Sequence, residues 1–273
     1  MTQAKTIFIT GCSSGIGYTT AIELQKRGHR VICSARKAED VVRLQGEGFD
    51  CLQLDLANST SIQQAVEQLI PLTNGKIDAV FNNGAFGQPG AVEDLSRDTL
   101  RNQFETNFFG THELTNLLIP LMRQQGHGRI IYNSSVLGFV AMKYRGAYNA
   151  SKFALEGLAD TLRLELRGTG IHISLIEPGP IESHFRKNAF ANIDSHNSYH
   201  RETYQAMEAR LQKQGPAAPF TLPATAVAEK VIHALESNKP KYRYAVTVPT
   251  HLFSWLKRFL PTAWLDKILI SVE

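Results

Sequence analysis

A chain of 273 residues with 43% hydrophobic and 20% charged side chains has enough apolar material for a substantial core and the balance of a globular domain. Its 29 basic and 25 acidic residues leave a net charge of +4, too mild and too dispersed for a nucleic-acid surface. No signal-type apolar stretch follows the N-terminus and every apolar run is too short to cross a bilayer, so neither secretion nor a transmembrane helix is expected.

Residues 5–10 are an apolar, β-branched run that leads into Gly11-Cys-Ser-Ser-Gly15-Ile-Gly17, after which residues 19–26 read as helix. Strand, glycine-rich turn and helix in that order are the setting of a dinucleotide fingerprint. The glycines let the backbone approach a pyrophosphate, and the helix start offers unpaired N–H groups. Gly11, Ser13, Ser14, Gly15, Ile16 and Gly17 are therefore candidate cofactor contacts, against the plainer reading of a turn with no ligand. Residues 30–34 form a second strand that runs into Ala35-Arg36-Lys37. A carboxylate here would hold a ribose 2′-OH, whereas an Arg suits a 2′-phosphate. Ala35 stands where the acid would be, and Arg36 can grip phosphate bidentately, so NADP(H) is expected over NAD(H) unless Arg36 is merely solvated.

Residues 51–56 read as a third strand ending in Asp55, with Leu56 beside it, placed to meet an adenine edge. A helix over 59–72 follows, then a fourth buried strand over 78–85 with Asn83 and Gly84 at its end. This alternation predicts a doubly wound parallel sheet with helices on both faces. Residues 95–125 read as one long helix with Asn107 inside it, either facing solvent or marking a kink whose freed carbonyl binds water. Residues 128–135 are a fifth strand ending in hydroxyls, and 171–177 a sixth, stopped by Pro178-Gly179-Pro180. Cys12, Cys33 and Cys51 are odd in number and lack ligand spacing, which fits reduced thiols in a cytoplasmic protein, and no metal site is expected among the nine His.

Between the last two strands, Tyr148 and Lys152 share one face of an amphipathic helix. Such a pair is common on solvated helices. Its chemical reading is that an ammonium lowers a phenol pKa toward the range useful for general acid–base catalysis. Ser135, ending the preceding strand, could swing back to face the phenol or simply form a turn.

Taken together, Thr10-Gly-x-x-x-Gly15-x-Gly17, Asp55, Asn82-Asn83-Gly84, Asn107, Ser135, Tyr148-x-x-x-Lys152 and Pro178-Gly179 resemble the short-chain dehydrogenase/reductase family over about residues 5–185. The wider chain is similar to its bacterial NADP-dependent aldehyde reductase branch, itself similar to retinol and 17β-hydroxysteroid dehydrogenases. The resemblance implies a Rossmann fold with strand order 3-2-1-4-5-6-7. It makes Tyr148 the proton donor in reduction, with Lys152 lowering its pKa and bonding the nicotinamide ribose, Ser135 holding the substrate oxygen, and Asn107 placing a relay water. It adds Pro178, Gly179 and Ile181 to the cofactor contacts. One departure is Gly84-Ala85 where the family has Ala-Gly, so that a methyl at 85 could crowd the cofactor.

Residues 1–248 are expected to form one catalytic domain, with 182–225 as a substrate lid whose Phe185, Phe190, Tyr199, Tyr204 and Met207 suit an apolar carbonyl or alcohol, or else pack the helix. Residues 249–273 form an amphipathic extension holding Trp255 and Trp264, read as packing on the domain or a second subunit, or as lying on a membrane surface. A homodimer or homotetramer is expected. Function remains open between an aldehyde or ketone reductase, an alcohol dehydrogenase of the retinol or hydroxysteroid kind, and a catalytically silent NADP(H)-binding protein.

Overall fold

The computed structural model describes residues 3–182, 198–212 and 218–271. Seven strands form one sheet in the order β3-β2-β1-β4-β5-β6-β7, every neighbouring pair parallel. They are β1 Thr6–Ile9, β2 Arg30–Ala35, β3 Asp50–Gln53, β4 Ala79–Asn82, β5 Gly128–Asn133, β6 Ile171–Glu177 and β7 Arg243–Ala245. The helices are α1 Gly15–Lys26, α2 Ala38–Gly46, α3 Ser59–Leu72, α4 Arg97–Phe104, α5 Thr111–Gln125, α6 Gly146–Glu165, α7 Arg201–Gln212, α8 Thr225–Glu236, α9 Val248–Phe259 and α10 Thr262–Ser271. This is the doubly wound arrangement and strand order expected.

Alternation along each strand divides the core in two. Phe8, Ile32, Val80 and Ile130 pack with α3, α5 and α6 on one face, while Ile7, Ile9, Phe81 and Ile131 pack with α1, α2 and α8 on the other. Because helices cover both faces, the central strands are apolar throughout. The strand order reverses between β1 and β4, and the crevice beyond their carboxyl ends is where such sheets bind ligands. The glycine turn after β1 and Asn83-Gly84 after β4 both open there.

Three expected boundaries move, each for a local reason. Helix α1 starts at Gly15, not residue 19, because Gly15 turns the chain at a φ of 59° and coils directly into the helix. Strand β3 ends at Gln53, so Asp55 lies beyond it; the pairing with β2 runs out at Ala35, whose carbonyl takes a last bond from Leu54 N–H at 2.9 Å. The long helix expected over 95–125 is broken: Ser96 caps α4 through Thr99 N–H at 3.1 Å, and Glu105–Gly110 forms a π-helical turn before α5. That turn sits so tightly on the chain after β3 that a Cβ at Gly110 would lie 1.7 Å from Leu56 O.

An ion pair closes α8 against α1. Arg27 Nε and Nη2 each donate to Glu236 at 2.7 Å, and the Arg27 bond, with a weaker one from His29, holds the Glu236 carboxyl down at about 2. A depressed carboxyl stabilises the fold above its ordinary value of 4.5 and loses that contribution as pH falls toward about 2. Glu236→Gln is expected to cost only about 1 kcal/mol at neutral pH, since the guanidinium is half exposed, and to flatten the acid limb of stability in that window. Urea titrations at stepped pH check this; an unaltered acid limb refutes it.

Candidate active site

The glycine turn is built for close approach. Gly11 and Gly15 hold positive φ, and a Cβ on Gly17 would lie 2.3 Å from Gly11 O, so the helix start is pressed against the turn. With α1 beginning at Gly15, the N–H groups of Gly15, Ile16 and Gly17 have no helical partner, and Ser14 makes no side-chain cap to them. These orphan donors, a positive helix end and the Ser13 and Ser14 hydroxyls fit a pyrophosphate.

Some expected cofactor contacts also build the scaffold. Asn83 Nδ2 donates to Thr10 O at 2.9 Å and Gly11 O at 3.1 Å, while its Oδ1 accepts from Asn133 Nδ2 at 2.9 Å. That side chain therefore staples the turn to β5. Gly84 N–H donates to Thr10 Oγ1 at 2.7 Å, and a Cβ there would lie 3.0 Å from the buried Leu56 side chain, so the glycine of the Gly84-Ala85 pair stands where packing is tightest. Asp55 uses one carboxylate oxygen on Ala57 N–H at 2.9 Å. Arg36 is exposed, and among the described residues its guanidinium makes no hydrogen bond or ion pair. Sequence reasoning missed Arg43, whose Nη2 reaches from α2 to Ser13 O at 2.7 Å and so braces the turn. No spacing announces it, since the contact exists only once α2 lies beside the turn.

At the far side of the crevice, the end of β5 and the start of α6 bring three expected groups together. The Ser135 hydroxyl hydrogen-bonds the Tyr148 phenol and accepts from Leu137 N–H at 3.1 Å. Lys152 Nζ lies 5.6 Å from the Tyr148 ring centre and donates to Asn133 O at 2.6 Å. Just before α6, Tyr144 adopts a φ of 56°, a conformation costly for a bulky residue, and its carbonyl accepts from Gly90 N–H at 3.0 Å. The strained turn thus fixes how α6 enters the site. Pro178 O accepts from Val136 N–H at 2.8 Å; a Cβ on Gly179 would lie 2.1 Å from Thr247 Oγ1, and Ile181 bridges to Leu222, so this segment closes the crevice wall.

Burial pushes the Tyr148 phenol up to about 12, against the Ser135 bond that favours the phenolate, although the residue as a whole is only half-buried. Burial likewise lowers Lys152 to about 8, opposed by the charge of Glu156. The ammonium donates to Asn133 O and lies beside the phenol ring. Of the two readings of Asn107, the structure favours the kink: the residue is buried rather than solvent-facing and lies in the π turn that interrupts the long helix. Its buried amide accepts from Phe86 N–H at 3.1 Å and donates to Phe86 O at 2.9 Å and Ser151 Oγ at 3.2 Å, tying the chain after β4 to α6. The side chain is a brace, and only its main chain, in the π turn, remains for a water.

One turn beyond Lys152, Glu156 belongs to a buried cluster that sequence reasoning did not anticipate. Arg243 from β7 donates to Glu156, to Glu177 at 2.7 Å and to Asp160 at 2.7 Å. Burial raises Glu156 to about 7 against the pull of Ser134 and Arg243, and raises Glu177 as well. Of the expected lid aromatics, Tyr204 is buried as an anchor, donating to Asp94 and accepting from Ala91 N–H at 2.7 Å, while Tyr199 is exposed and Met207 partly buried. Phe185 and Phe190 lie outside the described residues.

A short-chain dehydrogenase family model matches residues 5–194, which takes in the glycine turn, Ser135, Tyr148 and Lys152. The chain belongs to the short-chain dehydrogenase/reductase family. It is 43% identical over 265 residues to the uncharacterized oxidoreductase YbbO of Escherichia coli K12, covering 97% of this chain and 94% of that one. It is also 30% identical over 279 residues to human 17-beta-hydroxysteroid dehydrogenase type 1, covering 95% and 80%. A crystal structure of a short-chain dehydrogenase from Streptomyces avermitilis superposes with a TM-score of 0.78 at 26% identity, covering 98% and 95%. As a member of this family the chain is a nicotinamide-dependent oxidoreductase. Its three cysteines are free and buried, Cys33 and Cys51 side by side on β2 and β3, and burial pushes Cys51 up to about 12.

Proposed function

We propose that this short-chain dehydrogenase/reductase reduces apolar aldehydes or ketones to alcohols with NADPH. The observation that carries the reading is geometric: Ser135, Tyr148 and Lys152 meet at the end of β5 and the start of α6, with a phenol whose proton a carbonyl reduction would consume. Its hydrogen bond to Ser135 sets two donors side by side for one carbonyl oxygen, with Ser135 stabilising charge that develops there. The bound nicotinamide supplies the hydride; the chain's part is positioning and proton delivery. Gly11, Ser13, Ser14, Gly15, Ile16 and Gly17 would hold its pyrophosphate, and Lys152, which has donors left beyond Asn133 O, its ribose. An NADPH-oxidation screen over aliphatic, aromatic, retinoid and steroid carbonyls tests the reading. Turnover of none of them overturns it.

Preference for the phosphorylated cofactor rests on Ala35 at the end of β2 and on the exposed Arg36 that follows it, whose guanidinium has no partner among the described residues. Arg36→Asp is expected to lower the NADPH-to-NADH ratio of kcat/KM by about 10²–10³-fold, the loss of a charge-assisted phosphate contact plus new repulsion. An unchanged ratio defeats the assignment. The likeness to a 17-beta-hydroxysteroid dehydrogenase favours a second reading, oxidation of a bulky apolar alcohol at the same residues. Steady-state rates in both directions on matched substrate pairs separate the two.

A further inference from the structure

Helix α9 is amphipathic the wrong way round for a helix that ends a domain. Its body-facing side buries only Thr250 and Phe253, and Lys257 turns the same way, donating to Phe139 O with its ammonium 4.8 Å over the Phe153 ring. Val248, Leu252, Trp255 and Phe259 recur at i, i+4, i+7 and i+11 on the opposite side, and all four are between 52 and 68% exposed. Trp255 and Phe259 pack on each other, ring centres 5.1 Å apart, outside the core. Past Pro261, α10 buries no residue, and Trp264 and Ile270 are exposed to the same degree. Both tryptophans of the chain are therefore exposed, one on each of the last two helices.

We propose that the outward apolar face of α9 docks on an anionic lipid interface. Residues 248–271 carry three cations, Lys257, Arg258 and Lys267, against the single carboxylate of Asp266. Exposed Arg258 and Lys267 accompany the apolar face, an arrangement that lipid phosphates complement and that exposed tryptophans reinforce by preferring the headgroup boundary. A second copy meeting this face across a two-fold axis would bring the same three cations and the one carboxylate of Asp266, which is no charge complement. No helix among the described residues is long and apolar enough to cross a membrane, so the contact is peripheral. Helix α9 also packs against the turn Val136–Gly138 directly after Ser135, so docking brings the hydroxyl that receives the substrate oxygen close to the bilayer.

The test is flotation of full-length protein with vesicles of phosphatidylglycerol and phosphatidylcholine in equal parts, against pure phosphatidylcholine. The protein is expected to float with the anionic vesicles and be released by salt. The triple variant Leu252→Ser/Trp255→Ser/Phe259→Ser is expected to lower partitioning at least about tenfold, and Arg258→Glu/Lys267→Glu to abolish the preference for anionic lipid, both with unchanged melting temperature. Failure of the wild type to float, equal flotation with neutral vesicles, or a triple variant that floats undiminished overturns the proposal. So does a triple variant that dissociates to a smaller species in lipid-free sedimentation, which would assign the face to a second copy.

Discussion

Tyr148→Phe is expected to lower kcat/KM for carbonyl reduction by about 10³–10⁴-fold, toward the upper end for loss of a general acid, and to leave NADPH binding within about twofold. The substitution keeps the ring, and with it the surface that Lys152 lies against at 5.6 Å, and removes only the hydroxyl that bonds Ser135. Because the glycine turn and α1 are not touched, fluorescence titration with NADPH should be nearly unchanged while single-turnover reduction fails. Retained turnover would remove Tyr148 from its role as proton donor. A parallel loss of cofactor affinity would mean that the phenol is part of the binding surface rather than the chemistry.

The second large effect is on stability. Arg243→Ala strands Glu156 and Glu177, whose side chains are 8% and 5% exposed, without the cation both bond. Removing one partner of a fully buried pair costs about 3–5 kcal/mol; with Arg243 itself 39% exposed, screening brings the expectation to about 2–4 kcal/mol, or a Tm lower by about 5–12 °C. The sign of its pH dependence follows from burial. Glu156 titrates at about 7 with Arg243 beside it, and losing the guanidinium raises it further, so both chains carry the neutral carboxyl well below 7 and differ as pH rises through that value. The deficit of the variant should thus be larger at pH 8 than at pH 5, and Glu156→Gln in the same chain should recover part of it. Denaturant titrations at the two pH values decide, and a deficit independent of pH would mean that lost packing, not an uncompensated charge, is responsible.

What could be read before folding was what neighbours in sequence decide. The strand, glycine turn and helix over residues 6–26 are local. So is the four-residue spacing that sets Tyr148 and Lys152 on one face, and α3 and β6 have the predicted bounds. The arrival of Ser135 at the phenol was legible as a loop returning from a strand end. Asn83 and Leu56 also have scaffold contacts that no spacing announced, because Asn133 lies at the end of β5 and Gly84 follows β4. Arg43 and Arg243 were invisible for the same reason: each acts 30 or more residues away in sequence, and no periodicity encodes such a reach.

Alternating apolar runs and glycine turns determined a parallel sheet with a glycine turn after its first strand, since those depend on spacing along one chain. The resemblance of the ordered motifs to the short-chain dehydrogenase/reductase family named the candidate reacting groups. Only the tertiary structure decided that burial raises the Tyr148 phenol and that Lys152 donates to Asn133 O, since neither surroundings nor partner is encoded in the four-residue spacing. It decided also that the apolar stripe of α9 points outward. Periodicity shows that a helix has two faces; which of them meets the core depends on what else the core has already accepted.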